Sequence, residues 1–160
     1  RRADIILITK TPPKATSADR DRIKQSLKLA SNQSVYFCAT AYAKFIDGAA
    51  HKPLVDIAIK KFILVTGIAD AAPLVSYLKG LNFDFEHLEY PDHYAFSKAT
   101  VGRIEHKAQN TFILTTEKDF GRLQPLISKK VLLYYLPIQL KFLNAQEEQA
   151  FLLQIEDQLQ

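Results

Sequence analysis

The chain has 160 residues, of which 48% are apolar and 24% are charged, and its net charge is +4. This length suffices for one domain with a core, and the composition is ordinary for a soluble globular protein. No apolar run reaches the roughly 18 residues of a membrane-spanning helix, and the single cysteine, Cys38, excludes an internal disulfide and a cysteine-rich zinc site.

The first part of the chain predicts two strands, a helix and a region of open assignment. A continuous β-branched run at residues 3–9 predicts a buried strand, and Ser17 can cap a helix that runs to about Ala30. Residues 34–40 predict a second strand. Residues 41–60 contain the turn signal Asp47-Gly48, which leaves open a hairpin or another excursion.

The rest of the chain alternates strands with helices. Strands are predicted at 61–66, 83–90, 111–115 and 131–138, and helices at 72–81, after the cap Ser97 to about 108, at 117–126, and from 144 to about 159. This alternation predicts one α/β domain over residues 1–160, in which helices on both sides of a mostly parallel sheet make three layers.

The carboxyl ends of the predicted strands carry most of the groups suited to chemistry. Ligands of open α/β sheets bind at that edge. The residues concerned are Thr9, Lys10, Thr40, Thr66, Gly67, Asp92, His93, and Thr115 to Asp119 with Thr116, Glu117 and Lys118 between them. Since loops are polar in any case, these residues alone leave open a site or ordinary loop polarity.

Two segments of this edge have two readings each. His93 could move a proton with Asp92 holding its tautomer, or Asp92 could cap the turn, because adjacent side chains of an extended segment point apart. The segment TTEKDF (115–120) could bind phosphate or magnesium-bound water, or it could start a helix with Thr116 as the N-cap.

Several familiar signatures are absent from the sequence. Its five glycines allow neither a P-loop nor a dinucleotide-binding fingerprint, and no Gly-x-Ser-x-Gly or His-x-x-x-His pattern occurs. The basic residues form only pairs without interleaved aromatics, so nucleic acid is not an expected partner. No signal-peptide pattern opens the chain, and no methionine occurs in it, so we expect a piece of a longer protein.

Five stretches, taken in order, resemble the carboxyl-terminal half of the tetraacyldisaccharide 4'-kinases, the lipid A kinases of Gram-negative bacteria. They are RADIILITKTPP, VYFCATAY, FILVTGIADAAPLVSYLKGL, EYPDHYAFSKATVGRI and FILTTEKDFGRL. The resemblance implies a fold like that of the P-loop NTPases, without the half that carries the P-loop. It also implies an enzyme that transfers the γ-phosphate of ATP to the 4'-hydroxyl of tetraacyldisaccharide 1-phosphate, using Mg²⁺, at the cytoplasmic face of the inner membrane.

The resemblance implies roles for particular residues. His93 would pair with an aspartate of the amino-terminal half that acts as base toward the sugar hydroxyl, and Asp92 would position His93 or its loop. Many members have a second histidine where this chain has Tyr94. Thr9 and Lys10 would contact the nucleotide base. The cleft would also include Gly67 and the segment Thr116, Glu117, Lys118 and Asp119, with roles unassigned.

ATP and Mg²⁺ would be held mainly by the amino-terminal half, which is absent here, so the chain alone would be inactive. Its partners would be that half, the lipid A disaccharide precursor and the membrane surface. Two other hypotheses remain: a free-standing module that binds a nucleotide or sugar phosphate, and a metal-dependent hydrolase that uses Asp92, His93 and Asp119.

Overall fold

The computed structural model describes residues 3–58 and 60–159 and contains two compact units. Unit 1 combines the described residues up to Ala41 with those from Gln139 onward, and unit 2 is the continuous stretch Tyr42–Ile138. That residues 1–160 form a single domain stays a prediction.

Strands and helices alternate through most of the chain. The strands are β1 (Ile5–Ile8), β2 (Ser34–Tyr42), β3 (Phe45–Gly48), β4 (Lys52–Pro53), β5 (Phe62–Thr66), β6 (Phe85–Glu89), β7 (Phe112–Thr116), β8 (Leu132–Leu136) and β9 (Ile138–Phe142). The helices are α1 (Ser17–Ser26), α2 (Ala72–Gly80), α3 (Lys98–Lys107), α4 (Glu117–Leu123) and α5 (Ala145–Leu159), with a 3₁₀ turn at Leu54–Ile57.

Unit 1 contains a three-stranded sheet in the order β1-β2-β9, in which β1 and β2 are parallel. On β2, the ring of Tyr36 meets Phe142 of β9 and Phe151 of α5 edge-on. The guanidinium of Arg20 on α1 forms an ion pair with Glu147 on α5 at 2.5 Å. These contacts join elements from both ends of the chain into one unit.

Unit 2 contains a six-stranded sheet in the order β4-β3-β8-β7-β5-β6. Strands β8, β7, β5 and β6 are parallel, and β3 and β4 form an antiparallel hairpin against β8. Strand β5 is buried along its whole length, because its side chains alternate between two apolar clusters. Helix α2 packs into one cluster, and α3 and α4 pack into the other. The predicted three-layer, mostly parallel α/β fold is therefore confirmed.

Gly48 allows the close approach of β3 to β8. Its φ is +123°, and a Cβ there would lie 2.5 Å from the carbonyl oxygen of Leu133. Only glycine fits both conditions, since side chains strain this backbone conformation and the oxygen is part of the neighbouring strand. The turn signal Asp47-Gly48 thus belongs to a hairpin, as one of the two readings of 41–60 predicted.

Three predictions of local structure need correction. Thr16, not Ser17, is the N-cap of α1, because Asp19 completes a capping box with Thr16, and the helix ends at Ser26. The run 131–138 is not one strand: β8 ends at Leu136 and β9 begins at Ile138, since Pro137 between them has no N–H for a strand ladder. Strand β9 joins the sheet of β1 and β2, so the described residues form two sheets instead of one.

Candidate functional site

Three strand ends of unit 2 meet at one edge of the six-stranded sheet. Strand β5 lies between β6 and β7, and all three run parallel, so their carboxyl ends are neighbours. Gly67 follows β5, the segment from Tyr90 follows β6, and α4 starts directly after β7. The N–H of Tyr90 donates to the carbonyl oxygen of Thr66 at 2.7 Å, which fixes the start of the segment after β6.

A tight turn at Pro91–Tyr94 carries Asp92 and His93. The N–H of Tyr94 donates to the carbonyl oxygen of Pro91 at 3.1 Å, and His93 has a φ of +59°. The Asp92 carboxylate stabilises this conformation, because Oδ1 accepts the His93 backbone N–H at 2.9 Å. Histidine is one of the few side chains enriched in the left-handed region. The turn presents the imidazole with 70% of its side chain exposed.

Helix α4 places two cations against this turn. Lys118 and Arg122 are four residues apart, so they lie on the same face of the helix. Lys118 Nζ donates to Asp92 Oδ1 at 2.9 Å. Arg122 Nη2 lies 3.0 Å from His93 Nδ1 and, since a guanidinium only donates, Nδ1 is the acceptor. Asp92 and His93 are thus each held by a residue of α4.

Asp119 anchors the base of α4 in the sheet. Its carboxylate is fully buried. Oδ2 accepts from the backbone N–H of Gly67 and from Thr116 Oγ1, both at 2.8 Å, and Oδ1 lies 3.4 Å from Arg122 Nη1. A buried carboxylate is stable when donors surround it in this way. Asp119 therefore joins the end of β5 to α4, and Thr116 is the N-cap that the helix reading predicted.

The Asp92 carboxyl is held in its ionised form. The hydrogen bond from Lys118 lowers its pKa below the ordinary value of 3.8. Partial burial opposes this shift, and the imidazole and the backbone N–H of His93 add to it. At neutral pH the turn therefore carries a negative charge beside an exposed histidine ring.

The structure brings together six of the predicted site residues: Gly67, Asp92, His93, Thr116, Lys118 and Asp119. Glu117 is exposed at the start of α4. Burial raises the pKa of Tyr135, and the negative charges of Asp47 and Glu117 raise it further by a smaller amount. Thr9 and Lys10 are exposed after β1 in unit 1. Their nucleotide role stays a prediction.

Arg122 is a site residue that the sequence reasoning missed. Arg122 lies on α4 three residues after Asp119, and its guanidinium contacts both His93 and Asp119. The signal in the sequence was its spacing from Lys118 and Asp119, because residues three and four apart share a helix face. The segment that matters thus extends beyond Asp119 to Arg122.

The described residues do not favour a metal centre. Within the ranges 3–58 and 60–159, no group of three or more His, Cys, Asp or Glu side chains is arranged to hold a metal ion. Asp92 and Asp119 already accept hydrogen bonds from two and three donors. The hydrolase that would use Asp92, His93 and Asp119 as metal ligands thus has no preformed ligand group among the described residues. In the same described ranges, no helix has the length and apolar character needed to cross a bilayer.

Comparison with known proteins gives a consistent result over almost the whole chain. The sequence profile of the family described as "Tetraacyldisaccharide-1-P 4'-kinase" matches residues 1–159. The tetraacyldisaccharide 4'-kinase of Flavobacterium johnsoniae is 38% identical over 91% of this chain and 42% of its own length. That of Bacteroides thetaiotaomicron is 31% identical over 92% of this chain and 44% of its own length.

A solved structure shows a related fold. The crystal structure of LpxK from Aquifex aeolicus in complex with ATP matches 93% of this chain and 50% of its own length, with a TM-score of 0.54 and 16% identity. The chain therefore spans about half of that structure and less than half of the curated relatives named above.

Proposed function

The chain belongs to the tetraacyldisaccharide 4'-kinase family, and we propose that it is the carboxyl-terminal part of a lipid A 4'-kinase. The longer protein would transfer the γ-phosphate of ATP to the 4'-hydroxyl of tetraacyldisaccharide 1-phosphate at the cytoplasmic face of the inner membrane. The part described here would supply one wall of the cleft, and the amino-terminal half would supply the other.

The observation that carries this proposal is the turn at Pro91–Tyr94, in which hydrogen bonds from α4 hold Asp92 and His93. An exposed imidazole in a left-handed backbone conformation, tied to α4 at both Asp92 and His93, is more constrained than a surface loop requires. Strained backbone that the surroundings hold in place is typical of functional sites. Its location at the carboxyl edge of a parallel sheet is where α/β proteins bind ligands.

Phosphoryl transfer depends mainly on positioning and on stabilising charge. We assign His93 to the catalytic cleft, where its ring would orient the carboxylate that takes the proton of the sugar hydroxyl. We assign Asp92 to the position of the His93 turn. Gly67, Thr116 and Asp119 fix the cleft wall, and Lys118 holds Asp92.

The nucleotide and its metal would be bound largely outside this chain. The sequence has no P-loop, and its described residues offer no metal-binding group, so they do not fit as the holder of Mg²⁺. We assign the phosphates and Mg²⁺ to the amino-terminal half, and Thr9 and Lys10 to contact with the nucleotide. The ATP bound to LpxK of Aquifex aeolicus supports ATP as the phosphate donor.

The test is ATP-dependent phosphorylation of tetraacyldisaccharide 1-phosphate by the full-length protein and its His93→Ala variant. We expect a loss in kcat/KM on the order of a hundredfold or more, the range of general acid–base assistance. His106→Ala is the matched control, because His106 is exposed on α3 of the same unit. We expect that control to retain full activity.

Two outcomes would contradict the proposal at different levels. An inactive full-length wild-type protein would remove the kinase assignment. An active protein that is unaffected by His93→Ala would keep the kinase assignment and remove His93 from the catalytic cleft. The chain of residues 1–160 alone is expected to show no turnover.

A further inference from the structure

We propose that Arg122 is a positioning residue that holds His93 in one tautomer, with Nδ1 unprotonated and the proton on Nε2. The inference rests on the proposed function for its consequence in catalysis, but its structural content is independent of the reaction.

The tautomer follows from the chemistry of the two nitrogens that face each other. Arg122 Nη2 and His93 Nδ1 are 3.0 Å apart. A guanidinium stays protonated and has no acceptor, so the hydrogen bond requires a lone pair on Nδ1. A neutral imidazole with an unprotonated Nδ1 carries its proton on Nε2.

Lys118 is the competing donor, and the geometry decides against it. Its Nζ lies 3.4 Å from His93 Nε2, at the long limit of a hydrogen bond, and 2.9 Å from Asp92 Oδ1. A neutral imidazole has one acceptor and therefore cannot accept from both cations. The shorter contact belongs to Arg122, and the ammonium of Lys118 already has the Asp92 carboxylate as its partner.

Arg122 is suited to this task because its guanidinium also forms an ion pair with the buried carboxylate of Asp119. Nη1 lies 3.4 Å from Asp119 Oδ1, while Nη2 meets His93. Asp119 is buried and bonded to Gly67 and Thr116, so the guanidinium links the imidazole to the sheet. Two rigidly connected nitrogens make this bridge, which the single ammonium of a lysine cannot reproduce.

The consequence is that the second ring nitrogen of His93, Nε2, is a hydrogen-bond donor. With Nδ1 occupied by Arg122, the remaining nitrogen carries a proton, and Asp92 Oδ2 lies 3.6 Å from it. The ring thereby suits a negatively charged oxygen, such as a carboxylate or phosphate, and does not suit a proton that has to be accepted. His93 would then orient a base without acting as the first proton acceptor.

The direct test is ¹⁵N NMR of the full-length protein labelled at the histidine rings. His93→Gln removes one pair of ring signals and assigns them to His93. In the wild-type protein at a pH where the ring is neutral, we expect an unprotonated Nδ1 and a protonated Nε2. Arg122→Ala should convert these shifts to those of a mixture of tautomers, whereas Lys118→Ala should preserve them. A protonated Nδ1 in the wild type, or unchanged shifts in Arg122→Ala, would overturn the proposal.

Kinetics separates positioning from substrate binding. We expect Arg122→Ala and Arg122→Lys to lower kcat on the order of tenfold to a hundredfold, the range for groups that orient a functional histidine, with KM unchanged for both substrates. In a His93→Ala background, Arg122→Ala should have no additional effect. A raised KM with unchanged kcat would mean that Arg122 binds a substrate phosphate instead, and this would overturn the positioning role.

The tautomer of His93 and its catalytic role can be disproved separately. If the full-length protein has no kinase activity, the NMR result still decides whether Arg122 fixes the tautomer. If His93→Ala retains activity while Arg122→Ala shifts the ring signals, the tautomer assignment stands and the catalytic role of His93 falls.

Discussion

The two ends of the parallel strands in unit 2 both carry charged side chains, but they organise them differently. At the amino ends, a cavity of about 570 Å³ is lined by Lys60, Lys61, Glu86, His106, Lys107 and four uncharged residues. Lys107 and Glu86 form an ion pair at 2.6 Å, and both side chains are more than 40% exposed. Such pairs are screened by water and contribute little.

At the carboxyl ends, the charged groups form a continuous chain of contacts. Asp92 binds Lys118, His93 binds Arg122, and Arg122 reaches Asp119. Asp119 is fully buried and bonded to the end of β5. Polar and charged side chains occur at both edges of the sheet, so polarity alone does not identify a site. The carboxyl edge differs because its charged groups are bonded to a buried residue of the core.

Replacement of the buried Asp119 should give the largest difference in the free energy of unfolding between the two ends of the strands. Asp119→Ala leaves the Gly67 N–H and the Thr116 hydroxyl without their acceptor, so we expect the free energy of unfolding to fall by about 2–3 kcal/mol. The matched change at the amino end, Glu86→Ala, should cost about 0–1 kcal/mol. Urea unfolding of both variants measures this contrast, and equal losses would mean that the carboxyl end has no special anchor.

A methyl group at Gly67 tests how rigid that anchor is. Its Cβ would lie 3.1 Å from Asp119 Oδ1 and 3.5 Å from the carbonyl oxygen of Pro91. Because hydrogen bonds hold Asp119, it cannot move aside, and Gly67→Ala should cost about 1–2 kcal/mol. Gly102→Ala on α3 meets nothing within 4 Å and should stabilise by about 0.5–1 kcal/mol. Thermal unfolding that shows a gain for both variants would refute a rigid Asp119.

The contribution of the Asp92 carboxylate to stability, which depends on pH, should be the smallest of these effects. Since its pKa is lowered in the folded state, mainly by Lys118, its contribution to stability is present above the ordinary value of 3.8 and is lost as the pH falls through the folded-state pKa. The wild type should therefore exceed Asp92→Asn in stability at neutral pH and converge with it in acid. Lys118→Ala should remove most of this difference. A difference that persists in acid would show that charge is not its source.

Much of the fold could be predicted because local signals agree with the tertiary structure. Ser97 and Thr116 cap the helices that their positions predicted, and the apolar run of β5 is buried on both faces. The predicted N-cap of α1, Ser17, was wrong, because Ser17 offers a hydroxyl one residue after the true cap, Thr16. The spacing of Thr16 and Asp19 is that of a capping box. The change of sheet after Pro137 could not be predicted, since strand pairing depends on partners distant in sequence.

The location of the candidate site could be predicted from the sequence, but most of its side-chain contacts could not. Parallel strands bring their carboxyl ends together, so the sequence was enough to place Asp92 and Asp119 at the same edge of the sheet. Of the two readings of Asp92, the geometry shows the turn cap, because Oδ1 accepts the His93 backbone N–H. That His93 moves a proton with Asp92 holding its tautomer stays a prediction. The bond from Arg122 to His93 joins residues 29 apart, and no local spacing encodes that distance.

The composition of unit 1 has a consequence for the order in which the protein can fold during synthesis. All residues of unit 2 have left the ribosome once Ile138 has emerged, whereas unit 1 still lacks β9 and α5. Until those residues are made, the edge of β2 that β9 will cover is unpaired, and such an edge can pair with other chains. A ribosome that stops after Ile138 would thus release a complete unit 2 attached to an unfinished sheet.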